Sequence, residues 1–81
     1  MMTYVCVMLF QTIGTIETVL YISKHADGTF SLARVERMPG MGRRTAEGVF
    51  PTRRAAHAAA VGFLSGRDYQ VRFYQAPKGG A

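Results

Sequence analysis

Only one segment of the chain has the periodicity of a helix, and it is too short to cover the strands that the remaining residues predict. The helix is predicted to begin at Thr52, an N-cap hydroxyl, and to continue to Leu64, where Ser65 and Gly66 end it. At 100° per residue its inner face is mostly alanine and consists of Ala56, Ala59, Ala60, Phe63 and Leu64. A helix of this length spans about 20 Å and shields one side of a small sheet. One sheet face is therefore predicted to be uncovered.

Five segments predict strands. Residues 3–11 are a continuous apolar run that is too short for a helix and typical of a strand buried on both faces. Residues 18–22, 30–37 and 46–50 are the next candidates. Residues 69–74 alternate with a period of two, as in a half-buried strand.

Turn residues separate these segments. Asp27 and Gly28 supply the positive φ of a tight hairpin between the second and third strands. Residues 38–42 contain Pro39 and two glycines and predict a flexible loop. The sequence thus predicts an α+β fold, in which an antiparallel four- to five-stranded sheet packs one helix on one face, in the order β-β-β-β-α-β. Residues 1–75 are expected to form a single domain, and residues 76–81 a disordered tail.

The uncovered face is the strongest functional indication. Several predicted strands carry apolar side chains on both sides, and monomers seldom leave a large apolar patch in water. The face therefore predicts self-association, as in a homodimer, or a protein ligand. The alternative is that residues 1–11 fold back and fill the gap.

Enzymatic and metal functions find little support. The single cysteine, Cys6, lies in an apolar run, and no Cys/His set has zinc spacing, so we expect no metal and no cofactor. His25 and His57 have no Ser, Cys or carboxylate at a spacing that indicates a catalytic dyad or triad. The longest apolar run, Tyr4 to Phe10, is too short to cross a bilayer. We expect a soluble, cytoplasmic protein of a bacterial host cell that is not an enzyme and binds no membrane.

Positive charge is concentrated in the middle of the chain. The net charge is +5, and residues 34–54 contain six arginines against two glutamates. Arginine pairs bidentately with carboxylate or phosphate, and Arg53 and Arg54 occupy the first helical turn, where acidic residues are normally preferred. The predicted partner-binding residues are Arg34, Arg37, Met41, Arg43, Arg44, Arg53 and Arg54. The alternative is that these arginines form an ordinary solvated surface.

Residues 51–64, with the sequence PTRRAAHAAAVGFL, resemble a segment of small phage-borne anti-CRISPR proteins of the type I class. In that family a P-T start likewise precedes an A-x-A-A-A-x-G-aromatic-Leu helix. The resemblance covers fourteen residues and departs in the first turn, where the family's acidic residues are Arg53 and Ala55 in this chain. It implies a non-enzymatic inhibitor that docks on a CRISPR surveillance complex and blocks DNA engagement or nuclease recruitment.

Two hypotheses on function follow. In the first, the chain is an inhibitor whose basic patch contacts an acidic surface of a protein partner, the CRISPR effector complex in the form that the resemblance implies. In the second, it is a small nucleic-acid-binding module, in which Arg72 and Tyr74 alternate on the last strand near Tyr21 and bind nucleic acid without sequence preference. A structural or subunit-interface protein is the third alternative.

Overall fold

The computed structural model describes residues 3–74, which form one antiparallel sheet and one helix. The five strands lie in the order β4-β3-β2-β1-β5, which confirms the predicted α+β fold and its element order. The expected tail at residues 76–81 lies outside the described residues. The elements are β1 (Thr3–Ile13), β2 (Ile16–His25), β3 (Phe30–Met38), β4 (Met41–Phe50), α1 (Arg53–Val61) and β5 (Gln70–Phe73).

The flexible loop predicted at residues 38–42 is wrong. Met38 pairs directly with Met41, so Pro39 and Gly40 form a two-residue turn, and Gly40 has the positive φ (78°) that such a turn requires. As a result β4 begins five residues earlier than the predicted strand at 46–50, and the arginines expected in a loop lie within this strand.

The Asp27-Gly28 turn is confirmed. The His25 N–H donates to the Thr29 carbonyl at 2.9 Å, which closes the hairpin between β2 and β3. The Asp27 carboxylate accepts from both the backbone N–H and the hydroxyl of Thr29, at 2.9 and 2.6 Å. These hydrogen bonds to its charged form lower the pKa of Asp27.

The helix begins as predicted and ends earlier. The Thr52 hydroxyl accepts from the Ala55 N–H at 3.1 Å, which confirms the N-cap. The helix ends at Val61, capped by Gly62, rather than at Leu64. Ala56 and Ala60 are fully buried against the sheet, and the core comprises Cys6, Val7, Leu9, Leu20, Ile22, Leu32, Ala56 and Ala60.

Gln11 fixes the segment that connects α1 to β5. Its side chain is 8% exposed, and its amide donates to the carbonyls of Ser65 and Asp68 at 2.6 and 2.9 Å. Its carbonyl oxygen accepts from the Ser65 N–H at 2.9 Å. One side chain of β1 therefore satisfies three backbone groups of a turn more than fifty residues away.

The helix covers one face of the sheet and only part of that face. It packs on β2, β3 and β4, and it leaves the helix-side residues of β5 open to solvent, with Phe73 61% and Val71 38% exposed. The prediction that the last strand is half-buried is thus wrong, because all four residues of β5 are exposed. Residues 3–13 lie inside the sheet, so the alternative that this segment fills the second face is also wrong for the described part of the chain.

Candidate partner-binding surfaces

The sheet face opposite α1 carries an apolar centre. Side chains alternate along each strand, so the neighbours of the core residues point to this second face. We call it the open face, and its central residues are Met8, Phe10, Val19, Tyr21, Ala33 and Val35. Phe10, Val19 and Val35 lie opposite one another on three adjacent strands, and Val19 is only 6% exposed although no helix or strand in the described part of the chain covers it. Neighbouring side chains on the same face therefore shield Val19.

Three arginines stand around this apolar centre. Arg44 lies opposite Val35 on edge strand β4, and Arg72 lies opposite Met8 on edge strand β5. Four interstrand spacings separate these two strands, so their backbones are about 19 Å apart. The Arg72 guanidinium lies 5.9 Å from the centre of the Phe10 ring. Arg37 completes the set and lies 3.7 Å from the Glu17 carboxylate.

Among the predicted site residues, Arg34 has internal contacts. Its side chain points to the helix face, where Nε lies 2.7 Å from the Glu47 carboxylate. Its guanidinium also lies 4.8 Å from the centre of the Phe63 ring. Glu47 is the extra residue of a β-bulge in β4. Arg34 therefore contacts both this bulge, through the ion pair, and the segment that follows the helix, through the Phe63 ring.

The other predicted residues do not form one continuous patch. Arg43 and Arg44 are consecutive in β4 and therefore point to opposite faces. Met41 is exposed at the start of the same strand. Arg53 and Arg54 follow the far end of β4, about 20 Å along the strand from Arg44. The structure therefore brings Arg37 and Arg44 to the open face and places Arg53 and Arg54 elsewhere.

Arg53 and Arg54 line a groove between the helix and β5, which we call the α1–β5 groove. It has a volume of about 530 Å³ and is lined by Arg53, Arg54, His57, Ala58 and Phe73. The Arg53 guanidinium lies 6.0 Å from the centre of the Phe73 ring. The groove thus combines cationic side chains with an exposed aromatic ring.

The histidines and the cysteine are not assembled into a catalytic group. His25 Nδ1 lies 3.1 Å from the Thr3 hydroxyl, whereas His57 lines the α1–β5 groove. Burial raises the pKa of the Cys6 thiol, which disfavours the reactive thiolate. Within residues 3–74, no three His, Cys, Asp or Glu side chains are grouped as metal ligands would be.

Edge pairing between chains is discouraged on the β4 side. This strand contains the bulge at Glu47, and Arg43 and Arg44 add two charges to its exposed edge. Bulges and charged side chains on an edge oppose the addition of another strand. The other edge, β5, has four residues and no bulge.

Sequence reasoning missed Phe73 as a site residue and included Arg72 only in the nucleic-acid hypothesis, not among the residues that bind a protein partner. Alternation in the last strand did indicate that these two residues face opposite ways, but it could not show which arginines share a face with Arg72. That grouping depends on the strand order. In the described part of the chain, no helix has the length and apolar character needed to cross a bilayer. Comparison of the chain with protein-family models, curated proteins and solved structures found no match.

Proposed function

We propose that this chain is a non-enzymatic inhibitor that binds a protein partner through the open face. The observation that carries the proposal is the row of Phe10, Val19 and Val35 across three adjacent strands, with arginines around it and no element of the described residues 3–74 over it. Protein interfaces have this composition, because an apolar centre supplies most of the affinity and arginine is enriched among the surrounding residues.

Charge favours an acidic partner over a second copy of this chain. Among the strand residues that the structure describes, the open face carries Arg37, Arg44 and Arg72 against the single carboxylate of Glu17. Two copies packed face to face would meet with the same net charge, which costs free energy. Glu17 cannot compensate, because Arg37 of its own chain already lies beside it. We therefore favour a complex with a different protein over the homodimer that the uncovered face also predicted.

A CRISPR surveillance complex is the target that the resemblance of residues 51–64 implies. Binding there would block DNA engagement or nuclease recruitment by occupying surface, which requires shape and charge and no catalytic group. The test is complex formation with a purified type I surveillance complex, followed by gel filtration and by a gel-shift assay of its DNA binding.

The decisive variant reverses two arginines of the open face, Arg44→Glu with Arg72→Glu. Its control, Arg43→Glu with Arg67→Glu, makes the same change of charge at exposed positions, because Arg43 points to the helix side and Arg67 lies in the segment between α1 and β5, outside the sheet. We expect the first variant to bind at least about tenfold more weakly and the control to bind as the parent does. Equal binding by both variants would exclude the open face as the interface.

Nucleic-acid binding is the second candidate, favoured by one observation. Arg72 lies over the Phe10 ring, and the Tyr74 hydroxyl lies 4.0 Å from the Met8 sulfur, so cationic and aromatic groups adjoin on the open face. Against it, the middle of the face is formed by Val19, Ala33 and Val35, which offer phosphates no side-chain donor. A gel shift with single-stranded DNA at two salt concentrations separates the candidates, because binding through phosphates weakens steeply as salt rises.

A further inference from the structure

The exposed edge of β5 has backbone groups that no strand within residues 3–74 pairs. The Tyr74 N–H donates to the Cys6 carbonyl at 2.9 Å, so Tyr74 is directed toward β1. In an antiparallel pair the direction of the backbone groups alternates. Arg72 and Gln70 are therefore directed toward β1 as well, and the N–H and C=O groups of Val71 and Phe73 point away from the sheet. This edge can accept one further strand.

The side chains of the same two residues lie on the helix side of the sheet, and that of Phe73 lines the α1–β5 groove. Val71 and Phe73 lie opposite the core residues Leu9 and Val7, which places their side chains on the helix side of the sheet. Both are exposed, because the helix packs on β2, β3 and β4 and does not cover this edge. A strand added beside β5 would therefore direct every second side chain toward the groove.

The positive charge of the groove favours acidic side chains in that added strand. Arg53, Arg54 and His57 line it, and no carboxylate does among the described residues. Neither arginine has a carboxylate within 4.0 Å in the described chain. Arginine pairs with carboxylates through two parallel hydrogen bonds, and Phe73 already holds the Arg53 guanidinium near its ring.

We propose that β5 and the α1–β5 groove bind an extended acidic peptide of a protein partner by strand addition. The peptide adds antiparallel to β5. The residues whose backbone pairs with Val71 and Phe73 are acidic, and their side chains point to the helix side and pair with Arg53 and Arg54. Backbone pairing requires a polypeptide, which favours a peptide over a nucleotide as the ligand. This surface is separate from the open face, so the proposal does not depend on the proposed function.

The test is an NMR titration of the ¹⁵N-labelled protein with acetyl-Glu-Val-Glu-Val-Glu-amide. We expect saturable shifts of the amide signals of residues 53–58 and 70–74. Two altered peptides separate the two parts of the mechanism. Replacing each Glu by Gln removes the charge, whereas N-methylation of the central Glu keeps the charge and removes a backbone donor that faces β5. Each should weaken binding about tenfold or more, and AMP should cause no saturable shift in these residues.

Protein variants test the same assignment. Arg53→Glu with Arg54→Glu should abolish the shifts, whereas Arg43→Glu with Arg67→Glu should leave them unchanged. All four positions are exposed, so loss of the fold is not expected. No saturable shift with the acidic peptide, equal binding of the Gln peptide, equal binding of the N-methylated peptide, or saturable binding of AMP at these residues would each overturn the proposal. Loss of partner binding in the open-face variants would not overturn it, because those variants leave this groove intact.

Discussion

Gln11 offers the sharpest test of how the fold positions β5. Replacing it by Met keeps the length of the side chain and removes its hydrogen bonds, so three backbone groups of Ser65 and Asp68 lose their partner. A hydrogen bond contributes about 1 kcal/mol net, and an unsatisfied buried group costs about 1–3 kcal/mol. Because water reaches part of this exposed turn, we expect the free energy of unfolding to fall by about 2–4 kcal/mol. That is a large share of the total for a domain of this size, and it corresponds to a loss of roughly 10–30 °C in melting temperature.

The assay is urea unfolding followed by circular dichroism, with Gln70→Met as the control. Gln70 undergoes the same chemical change on β5, where it is exposed. Gln11→Glu adds a second test, because its carboxylate would face two carbonyl oxygens at neutral pH. That variant should be less stable than Gln11→Met at neutral pH and should recover as the pH falls and the carboxyl gains a proton. A Gln11→Met protein within about 0.5 kcal/mol of the parent would refute the role assigned to this residue.

Three further predictions concern local features. Because the pKa of Asp27 is lowered in the folded protein, its contribution to stability is present above the usual Asp pKa of about 3.9 and is lost as the pH falls through the lowered value. The difference in unfolding free energy between the parent and Asp27→Ala should therefore shrink between pH 7 and pH 2. A difference that is independent of pH would contradict this. Because burial raises the pKa of Cys6, its thiol should react with a disulfide reagent far more slowly in the native protein than in urea, and equal rates would contradict its burial. Thr52→Ala should cost about 1 kcal/mol in urea unfolding and Thr52→Ser much less, whereas equal losses would argue against the N-cap.

Local signals were sufficient for the parts of the fold that local interactions determine. Thr52 was predicted as the N-cap because its hydroxyl needs only the N–H three residues ahead. The Asp27-Gly28 turn was predictable for the same reason, since its hydrogen bonds join residues within the hairpin. The burial of Ala56 and Ala60 followed from their helical spacing, but Phe63 lies beyond the end of the helix and is exposed. The burial of β1 on both faces that the sequence predicted is wrong, because within residues 3–74 the helix lies on one side of the sheet only.

Edge strands were harder to predict because their side chains are exposed to solvent and need not show the apolar alternation on which prediction depends. The first half of β4 contains Arg43 and Arg44 and no apolar alternation, so the sequence of this segment favours a loop over a strand. The opposite error was made at β5, where Phe73 alternates like a buried residue and is exposed because the helix lies over the other strands. Position in the sheet decided both cases.

The candidate surfaces could be predicted only in part. An uncovered apolar face followed from one short helix and several strands that are apolar on both sides. The grouping of arginines did not, because it depends on strand order and register, which bring Arg72 and Arg44 to one face and direct Arg43 to the other. Gln11 shows the same limit, since its partners lie more than fifty residues away and nothing near it in sequence indicates them.

Methyl cross-saturation NMR with the bound partner tests most directly whether the open face is the interface. In the complex, irradiation of the partner reduces the signals of chain methyl groups that lie against it. The account predicts losses at Ala33, Val35 and Ala46, which point to the open face, whether or not Ala58 and Val71 on the helix side also lose signal. Losses confined to Ala58 and Val71, with the open-face methyl groups unaffected, would contradict it.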